Sequence, residues 1–355
     1  MQSRKSGQVV IIVVTNNISS NRREVDVGEN LGSSSVMNLV QAINSALHNE
    51  MESDASVIIL GEDVGVDGGV FRVTEGLLKK FGSARVIDTP LAESAIVGTS
   101  IGMAVYGLRP VAEIQFDGFM HTAFNQIVNH ASRIRTRSRG RFHCSIVIRA
   151  PYSGGIRALE HHSDSPETYF AHTPGLKVVI PSNPYDAKGL LISAIRDPDP
   201  VIFLEPKRIY RAIKQEVPDD SYTVPLEKCN IVKEGDDITV IAYGAMVREC
   251  QKAAELSGKN VEIIDVRTLK PLDEETIVKS VGKTGRCVVV HEAPRMCGFG
   301  AELVSIIQEH TLLSLKAPIE RVTGYDVVMP LPKLENYYLP NAGRIAAAIG
   351  RTMKF

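Results

Sequence analysis

Short apolar runs alternate with segments of helical periodicity along most of the chain, and this alternation constrains the fold more than any other feature of the sequence. Residues 57–60 (VIIL) are such a run, typical of a strand buried on both faces, and they follow a segment of helical periodicity over 36–47. The same alternation recurs over 238–309. Because strands that are connected through helices pair in parallel, with helices on both faces of the sheet, we predict an α/β protein with two three-layer domains and mainly parallel sheets.

Composition and periodicity divide the chain into four segments. Residues 1–36, rich in Ser, Asn and Arg, predict a disordered or poorly ordered N-terminal extension, and 37–205 predict a first α/β domain. Residues 206–235 combine mixed charge and three prolines with little periodicity, which predicts an interdomain linker before a second domain at 236–355. Within the first domain, apolar residues along one side predict a helix over 122–135.

The overall composition excludes some classes of partner. With 44% hydrophobic residues, 23% charged residues and a net charge of −1 at pH 7, the chain offers no electrostatic basis for binding nucleic acid or a membrane. Arginine occupies every second position over 133–141, and we interpret this segment as a solvated or subunit-facing stretch. Five scattered cysteines without a CxxC pair predict reduced thiols in an intracellular compartment and argue against a cysteine-built zinc site. We expect a cytoplasmic protein of prokaryotic type, with the mitochondrial matrix as the alternative.

Residues 85–110 combine a short strand, a proline turn and an almost uncharged helical segment that begins with one acid, Glu93. Three glycines in this segment, Gly98, Gly102 and Gly107, predict close packing against another backbone. Two interpretations of Glu93 are open at this point. It is either a first-turn carboxylate that complements the helix dipole, which the spacing alone favours, or a desolvated carboxylate presented to a ligand.

Polar clusters follow the predicted strands of the first domain at 61–63, 88–93 and 115–119, and a fourth cluster on a long loop contains the adjacent His161 and His162. In open parallel sheets, ligands bind beyond the carboxyl ends of the strands, so these clusters are the candidate site. Three roles are open for the histidines: metal ligands, loop residues with satisfied hydrogen bonds, or an acid/base function. Adjacent residues rarely present both rings to one ion, which makes metal binding the weakest of the three.

These clusters belong to five motifs that come in one order: GEDV at 61–64, DTPLAE at 88–93, GLRPVAEIQFDGF at 107–119, HHSDSPETYFAHTPGLKVVIPSNPYDAKGLL at 161–191 and EPKRIYR at 205–211. With this set the chain, from about residue 37 to its end, resembles the β subunit of the thiamine-diphosphate-dependent 2-oxo acid dehydrogenase E1 component. The resemblance implies a transketolase-like pyrimidine-binding domain followed by a transketolase C-terminal-like domain. The segments HSDSPE and EPKRIYR resemble the branched-chain enzyme more than the pyruvate enzyme.

The resemblance assigns roles that the residues can physically support. Glu93 matches the glutamate that hydrogen-bonds N1′ of the cofactor's aminopyrimidine, and a carboxyl group in an apolar pocket can share a proton with that ring nitrogen. This match replaces the helix-dipole interpretation. Phe119 matches the aromatic residue that stacks on the pyrimidine, and Leu91 and Gln115 match positions that line the same ring. His162 matches the histidine that handles protons as the lipoyl group is reductively acylated, whereas His161 is interpreted as structural.

The resemblance also implies a potassium ion held largely through backbone oxygens, as in some relatives. Asp199 stands where an asparagine is common, which puts the ion in doubt. The matching positions are Ile146, Ala194, Ile195, Asp197 and Asp199.

One expected motif is absent from the sequence. Thiamine-diphosphate enzymes hold the diphosphate through Mg²⁺ with a GDG motif. The 355-residue sequence contains no GDG tripeptide. The chain therefore offers the pyrimidine half of a site, and the resemblance implies an E1 α subunit that holds Mg²⁺ and the diphosphate in an α2β2 heterotetramer. It also implies an E2 dihydrolipoyl acyltransferase as a further partner. The second domain would organise the contact between β subunits and dock E2.

The predicted function is therefore that of an E1 β subunit. With its α partner it would catalyse oxidative decarboxylation of a 2-oxo acid, favoured to be branched-chain, and reductive acylation of the E2 lipoyl group. Two alternatives stay open: a pyruvate or acetoin dehydrogenase E1 β subunit, and a non-catalytic assembly subunit with the same fold. The presence of both Glu93 and His162 argues against the last, since a scaffold needs neither.

Overall fold

The structure is a computed structural model and describes residues 33–355. The predicted N-terminal extension, residues 1–36, thus lies outside the described residues except for its last four. The strands are β1 Ser34–Met37, β2 Val57–Gly61, β3 Val86–Asp88, β4 Arg109–Glu113, β5 Val147–Tyr152, β6 Lys177–Val179, β7 Val201–Pro206, β8 Gln215–Pro218, β9 Asn230–Lys233, β10 Ile238–Ala242, β11 Val261–Asp265, β12 Thr268–Lys270, β13 Cys287–Val290 and β14 Glu320–Val322. The helices are α1 Leu39–Ser53, α2 Leu77–Phe81, α3 Glu93–Val105, α4 Ile134–Arg137, α5 Glu167–Ala171, α6 Pro184–Arg196, α7 Met246–Ser257, α8 Glu274–Thr284, α9 Gly300–Thr311, α10 Glu335–Tyr338 and α11 Ala342–Thr352.

The first sheet has seven strands in the order β12-β6-β7-β5-β4-β2-β3, and all of them except β12 run parallel. Successive residues of a strand point to opposite faces, so Ile59 joins the apolar cluster under α1 and α6 while Leu60 joins the one under α3. Both faces of the sheet are therefore covered by helices, as the continuous apolar strands predicted.

The second sheet has five strands in the order β14-β13-β10-β11-β9, with only β9 antiparallel to its neighbour among the described strands. Helices α7 and α11 pack together on one face, and α8 and α9 pack together on the other. The predicted fold class, two three-layer α/β domains with mainly parallel sheets, is confirmed.

The two sheets exchange strands across the predicted boundary. Strand β12 follows β11 of the second sheet along the chain, but it pairs antiparallel with β6 of the first sheet. Strands β8 and β9 both lie inside the predicted linker 206–235: β8 pairs with β1, and β9 joins the second sheet. Residues 33–355 accordingly form one compact unit.

The prediction of one regular helix over 122–135 is wrong. The chain there forms a π-helical turn at Gln126–His130, a 3₁₀ turn at Ala131–Arg133 and only then α4. The Ser132 hydroxyl donates a hydrogen bond to the carbonyl oxygen of Val128 at 2.8 Å. A hydroxyl that hydrogen-bonds a carbonyl four residues earlier competes with the regular helical ladder and bends it.

Across residues 33–355, no helix is long and apolar enough to span a bilayer. The five cysteines, all within the described residues, are unpaired.

Candidate active site

The carboxyl ends of three parallel strands meet at one edge of the first sheet. Gly61 at the end of β2 is in register with both Asp88, the end of β3, and Glu113, the end of β4. The residues that follow these strands, including Glu93 and Phe119, therefore emerge side by side. The structure thus brings the three predicted polar clusters together.

Glu93 is the first residue of α3 and only 6% exposed. Its Oε2 accepts a hydrogen bond from the Thr122 hydroxyl at 2.9 Å, and the same hydroxyl lies 2.8 Å from the carbonyl oxygen of Phe119. Thr122 was missed from the sequence, because it is an ordinary polar residue in a segment that predicts a regular helix. A single hydroxyl thus links the candidate acid to the backbone of the candidate stacking residue.

Glu62 is a second buried carboxyl group at this edge. The sequence predicted the polar cluster 61–63 that contains it, but no role for Glu62 itself. Burial raises its pKa, and the neighbouring charges of Glu93 and Asp63 raise it further. A buried carboxyl group with a raised pKa at a strand end is typical of a functional site. The signal that could have found it is its place directly after a fully buried strand.

An aromatic cluster surrounds His162. Its ring centroid lies 4.3 Å from that of Phe116 and 5.3 Å from that of Phe119, and the ring stacks on His161 at 5.1 Å. The ring of Phe119 also meets His161 edge-on at 5.3 Å. The structure therefore places the candidate stacking residue and the candidate acid/base residue in direct contact.

The surroundings of the His162 ring favour its neutral form. Burial lowers its pKa, and the positive charges of His161 and Lys207 lower it further. Its Nδ1 is buried and has no hydrogen-bond partner in the described part of the chain. A neutral imidazole with a free ring nitrogen can accept a proton.

Lys207 comes from the EPKRIYR motif and lies beneath the histidine. Its buried ammonium pairs with Asp117 at 3.4 Å and lies 5.9 Å from the ring centroid of Phe116. Burial raises the pKa of Asp117 to about 6, against the opposing effect of Lys207. This motif, which is distant in sequence, thereby contributes charge to the same site.

Gln115 and Leu91, predicted to line the cofactor ring, lie at the same edge. The Gln115 side chain donates a hydrogen bond to Asp63 Oδ2 at 2.9 Å. Leu91 is 79% exposed. Their proposed contacts with a cofactor stay predictions.

The five residues predicted to hold potassium lie near the end of α6 and the start of β5 and β7. Asp197 pairs with Lys177, and Asp199 Oδ1 lies 2.6 Å from Arg135 Nε. The carbonyl oxygen of Ile195 accepts a hydrogen bond from Arg109 at 2.8 Å. Cationic side chains thus already neutralise the carboxylates, and a potassium ion here would depend on backbone oxygens. It stays a prediction.

One face of α3 is not covered by the described part of this chain. A Cβ added at Gly102 would meet no atom within 4 Å, and one at Gly98 would meet only Gln126, at 3.8 Å. Tyr106, at the end of the helix, is 91% exposed. The predicted close packing of these glycines against another backbone is therefore wrong within residues 33–355.

Residues 35–213 match the family described as the transketolase pyrimidine-binding domain, and residues 227–345 match the transketolase C-terminal domain. A protein of Acholeplasma laidlawii named pyruvate dehydrogenase E1 component subunit beta is 54% identical over 90% of this chain and 98% of its own length. This chain belongs to the E1 β-subunit family of 2-oxo acid dehydrogenases. A Staphylococcus aureus protein of the same name is 52% identical over 90% of this chain and 99% of its own length.

The fold of this E1 β-subunit family member also resembles a solved structure named split gene transketolase, inactive beta4 tetramer. The TM-score is 0.73 at 21% identity, over 90% of this chain and 99% of that one. This likeness supports the fold alone.

Membership of the E1 family implies dependence on thiamine diphosphate, and the described residues fit one end of that cofactor. A buried carboxyl group at Glu93 and an aromatic ring at Phe119 suit an aminopyrimidine. In the part of the chain that the structure describes, no group of three His, Cys, Asp or Glu side chains could hold a metal ion.

Proposed function

We propose that this chain is the β subunit of a pyruvate dehydrogenase E1 component. With an α subunit it would catalyse oxidative decarboxylation of pyruvate and transfer of the acetyl group to the lipoyl group of an E2 acyltransferase. The 54% and 52% identity to proteins named pyruvate dehydrogenase E1 component subunit beta supports pyruvate. The sequence motifs favoured a branched-chain substrate, and these relatives support the pyruvate alternative better.

The observation that carries a catalytic role is the buried carboxyl group of Glu93 beside Thr122 and Phe119. Bound thiamine diphosphate supplies the carbon that adds to the 2-oxo acid and takes up the electrons left by carbon dioxide. Glu93 would hold the aminopyrimidine at N1′ and share a proton with it. Thr122 orients the carboxyl group through the hydrogen bond of 2.9 Å, and burial keeps water from that proton.

His162 supplies the second proton-handling group. Its lowered pKa leaves the ring neutral near pH 7, and Nδ1 has no partner within the described residues. In reductive acylation the lipoyl S–S bond breaks as the new C–S bond forms. The neutral ring would accept the hydroxyl proton that the substrate-derived two-carbon unit loses and deliver it to the released sulfur. Contact with Phe116 and Phe119 fixes the position of the ring. His162 therefore acts on acyl transfer, and Glu93 acts on decarboxylation.

An α subunit completes the proposed site in an α2β2 heterotetramer. The GDG motif is absent from this sequence, so the diphosphate and Mg²⁺ would be held mainly by the partner. The uncovered face of α3, with Gly98 and Gly102, offers a surface for close backbone approach by another chain. Exposed Leu91 adds apolar area beside it. We further propose potassium binding at the five positions described above. We also propose a cytoplasmic location, with the mitochondrial matrix as the alternative.

The test is decarboxylation of pyruvate and of 2-oxoisovalerate with an artificial electron acceptor, by this chain alone and co-expressed with a GDG-containing α subunit. We expect activity only in the pair, and faster on pyruvate. Glu93→Gln should lower that rate at least about 100-fold, as loss of an acid/base group does, while the tetramer still forms. Faster turnover of 2-oxoisovalerate would refute the substrate, and an unaffected rate in Glu93→Gln would refute the role of Glu93.

A further inference from the structure

The loop that carries His162, residues 153–164, is a closed ring of backbone. The N–H of Ser153 donates a hydrogen bond to the carbonyl oxygen of Asp164 at 2.9 Å, so the two ends of the loop touch. The N–H of His162 donates to the carbonyl oxygen of Leu159 at 3.0 Å within the second half. We call this segment the histidine loop; it is a compact surface loop of the kind that often carries functional residues.

The first half of the histidine loop has an unusual backbone. Ser153, Gly155 and Arg157 have φ values of 74°, 101° and 58°. Residues other than glycine rarely adopt positive φ, and they keep it only where surrounding groups enforce it. Alternation of such residues turns successive N–H groups toward one side, where they form a concavity that binds an anion.

The anion in this concavity is the carboxylate of Glu335, which lies on α10 in the second half of the chain. Its Oε1 accepts a hydrogen bond from the N–H of Gly155 at 2.6 Å, and its Oε2 accepts one from the N–H of Arg157 at 3.0 Å. Glu335 is only 3% exposed. Hydrogen bonds from N–H groups to a buried carboxylate are among the stronger ones in proteins.

Close packing limits other arrangements of the loop. A Cβ added at Gly154 would lie 2.7 Å from Met329 Cε and 3.2 Å from a Leu339 methyl group, so the loop backbone rests directly on the segment that carries Glu335. Arg344 on α11 holds that segment in turn, donating to the carbonyl oxygens of Tyr338 at 3.0 Å and Thr323 at 2.7 Å. Glu335 is therefore a fixed anchor.

We propose that Glu335 is a positioning residue for His162: its carboxylate holds the N–H groups of Gly155 and Arg157 and thereby fixes the histidine loop against the aromatic cluster. The catalytic consequence rests on the proposed function, in which His162 serves acyl transfer. The hydrogen bonds of the Glu335 carboxylate to this loop come from the backbone N–H groups of Gly155 and Arg157.

The first measurement is hydrogen–deuterium exchange of the peptide spanning residues 153–164 in the assembled α2β2 enzyme. Glu335→Ala removes both acceptors, and we expect exchange of this peptide to accelerate at least about tenfold. Glu335→Gln keeps one carbonyl oxygen and should give an intermediate rate. The matched control is Glu255→Ala on the exposed face of α7, which should exchange like the wild type. Unchanged exchange in Glu335→Ala would overturn the proposal.

The second measurement separates positioning from general damage. We expect Glu335→Ala to lower kcat for acetylation of the lipoyl domain about tenfold, with little change in KM for that domain. Decarboxylation with an artificial acceptor should change less than about threefold. An equal loss in both reactions would overturn the positioning role.

If Glu335→Ala fails to assemble, Glu335→Gln decides the question, because unchanged exchange and an unchanged ratio of the two activities in that variant would also overturn the proposal. The two proposals fail in different ways. A wild-type tetramer that does not turn over pyruvate refutes the proposed function, whereas the exchange data still decide whether Glu335 holds the loop.

Discussion

The floor of the candidate site contains a buried charge cluster whose disruption we expect to destabilise the protein strongly. Arg149 on β5 is only 1% exposed and lies between Glu113 of β4 and Glu205 of β7. Its guanidinium donates hydrogen bonds of 2.6 Å to Glu113 and of 2.6 and 3.0 Å to Glu205, and the Tyr210 hydroxyl donates to Glu205 at 2.7 Å. The cluster joins three neighbouring strands.

The perturbation is Arg149→Met, which keeps most of the side-chain volume and removes the charge. Two buried carboxylates then lack their cation, and breaking a buried pair in this way costs about 3–5 kcal/mol of the free energy of unfolding. At about 2–4 °C per kcal/mol for a large domain, Tm should fall by at least about 6 °C. Calorimetry of the assembled protein measures this directly.

The defect should depend on pH with a defined sign. Burial already raises the pKa of Glu113, and removing Arg149 removes the charge that opposes this rise. A folded-state pKa above the unfolded one means that the folded state binds the proton more tightly, so the free energy of unfolding falls as pH rises between the two values. The deficit of Arg149→Met should therefore be larger at pH 8 than at pH 5.

The matched control is Arg351→Met at an exposed pair. Arg351 contacts both carboxylate oxygens of Glu320, with Nε 2.9 Å from Oε1, but its own side chain is 57% exposed. Exposed pairs contribute at most about 1 kcal/mol. If Arg149→Met lowered Tm no more than Arg351→Met, the assignment of a large stability contribution to burial of the cluster would be refuted.

Three further predictions concern the site and its surface. Thr122→Val should lower the decarboxylation rate about 10- to 100-fold, because a buried acceptor that loses its hydrogen bond costs about 1–3 kcal/mol. A wild-type kcat would contradict the orienting role. Gly102→Leu should not lower the Tm of this chain, because leucine favours a helix more than glycine does, but it should raise the α2β2 dissociation constant at least about tenfold. Sedimentation measures this against Gly350→Leu, whose added Cβ also meets nothing within 4 Å. Equal dissociation constants would remove α3 from the interface. Lipoyl acetylation should lose rate as pH falls through a pKa below the usual histidine range, because burial, His161 and Lys207 lower the pKa of His162; an acid limb at the ordinary histidine pKa would contradict this.

Local patterns were sufficient for the parallel strands of the two sheets. Continuous apolar runs such as 57–60 identify strands that both faces bury, and the intervening periodicity identifies the helices that cover them. The exchange of strand β12 between the two halves could not be predicted, since pairing of residues about 90 positions apart leaves no local pattern. The linker prediction did not anticipate β8 and β9 for a different reason. Both are short strands of mostly exposed or half-buried residues, without the continuous apolar run that marks the central strands.

The candidate site was predictable where a residue follows a strand and was missed where tertiary contacts define it. Glu93, Phe119 and His162 stand in motifs at strand ends or on the long loop. Thr122 directly follows a 3₁₀ turn at Asp117–His121, and its role depends on the contact with Glu93 in the folded chain, which no local pattern predicts. Glu335 acquires its role from a loop that lies about 180 positions earlier in the chain.

Buried charge is concentrated under one edge of the first sheet, and this explains why the site needs so much of the chain. Asp117 is held by Lys207 and accepts a hydrogen bond from the N–H of Ser153 at 3.1 Å, so the floor of the site and the start of the histidine loop share one carboxylate. Glu292 of the second half accepts a hydrogen bond from the Ser153 hydroxyl. Each of these groups is costly to bury alone and is tolerated because the others satisfy it. The histidine loop is thus held by Asp117 of the first domain and by Glu292 and Glu335 of the second, so its position depends on contacts with both domains.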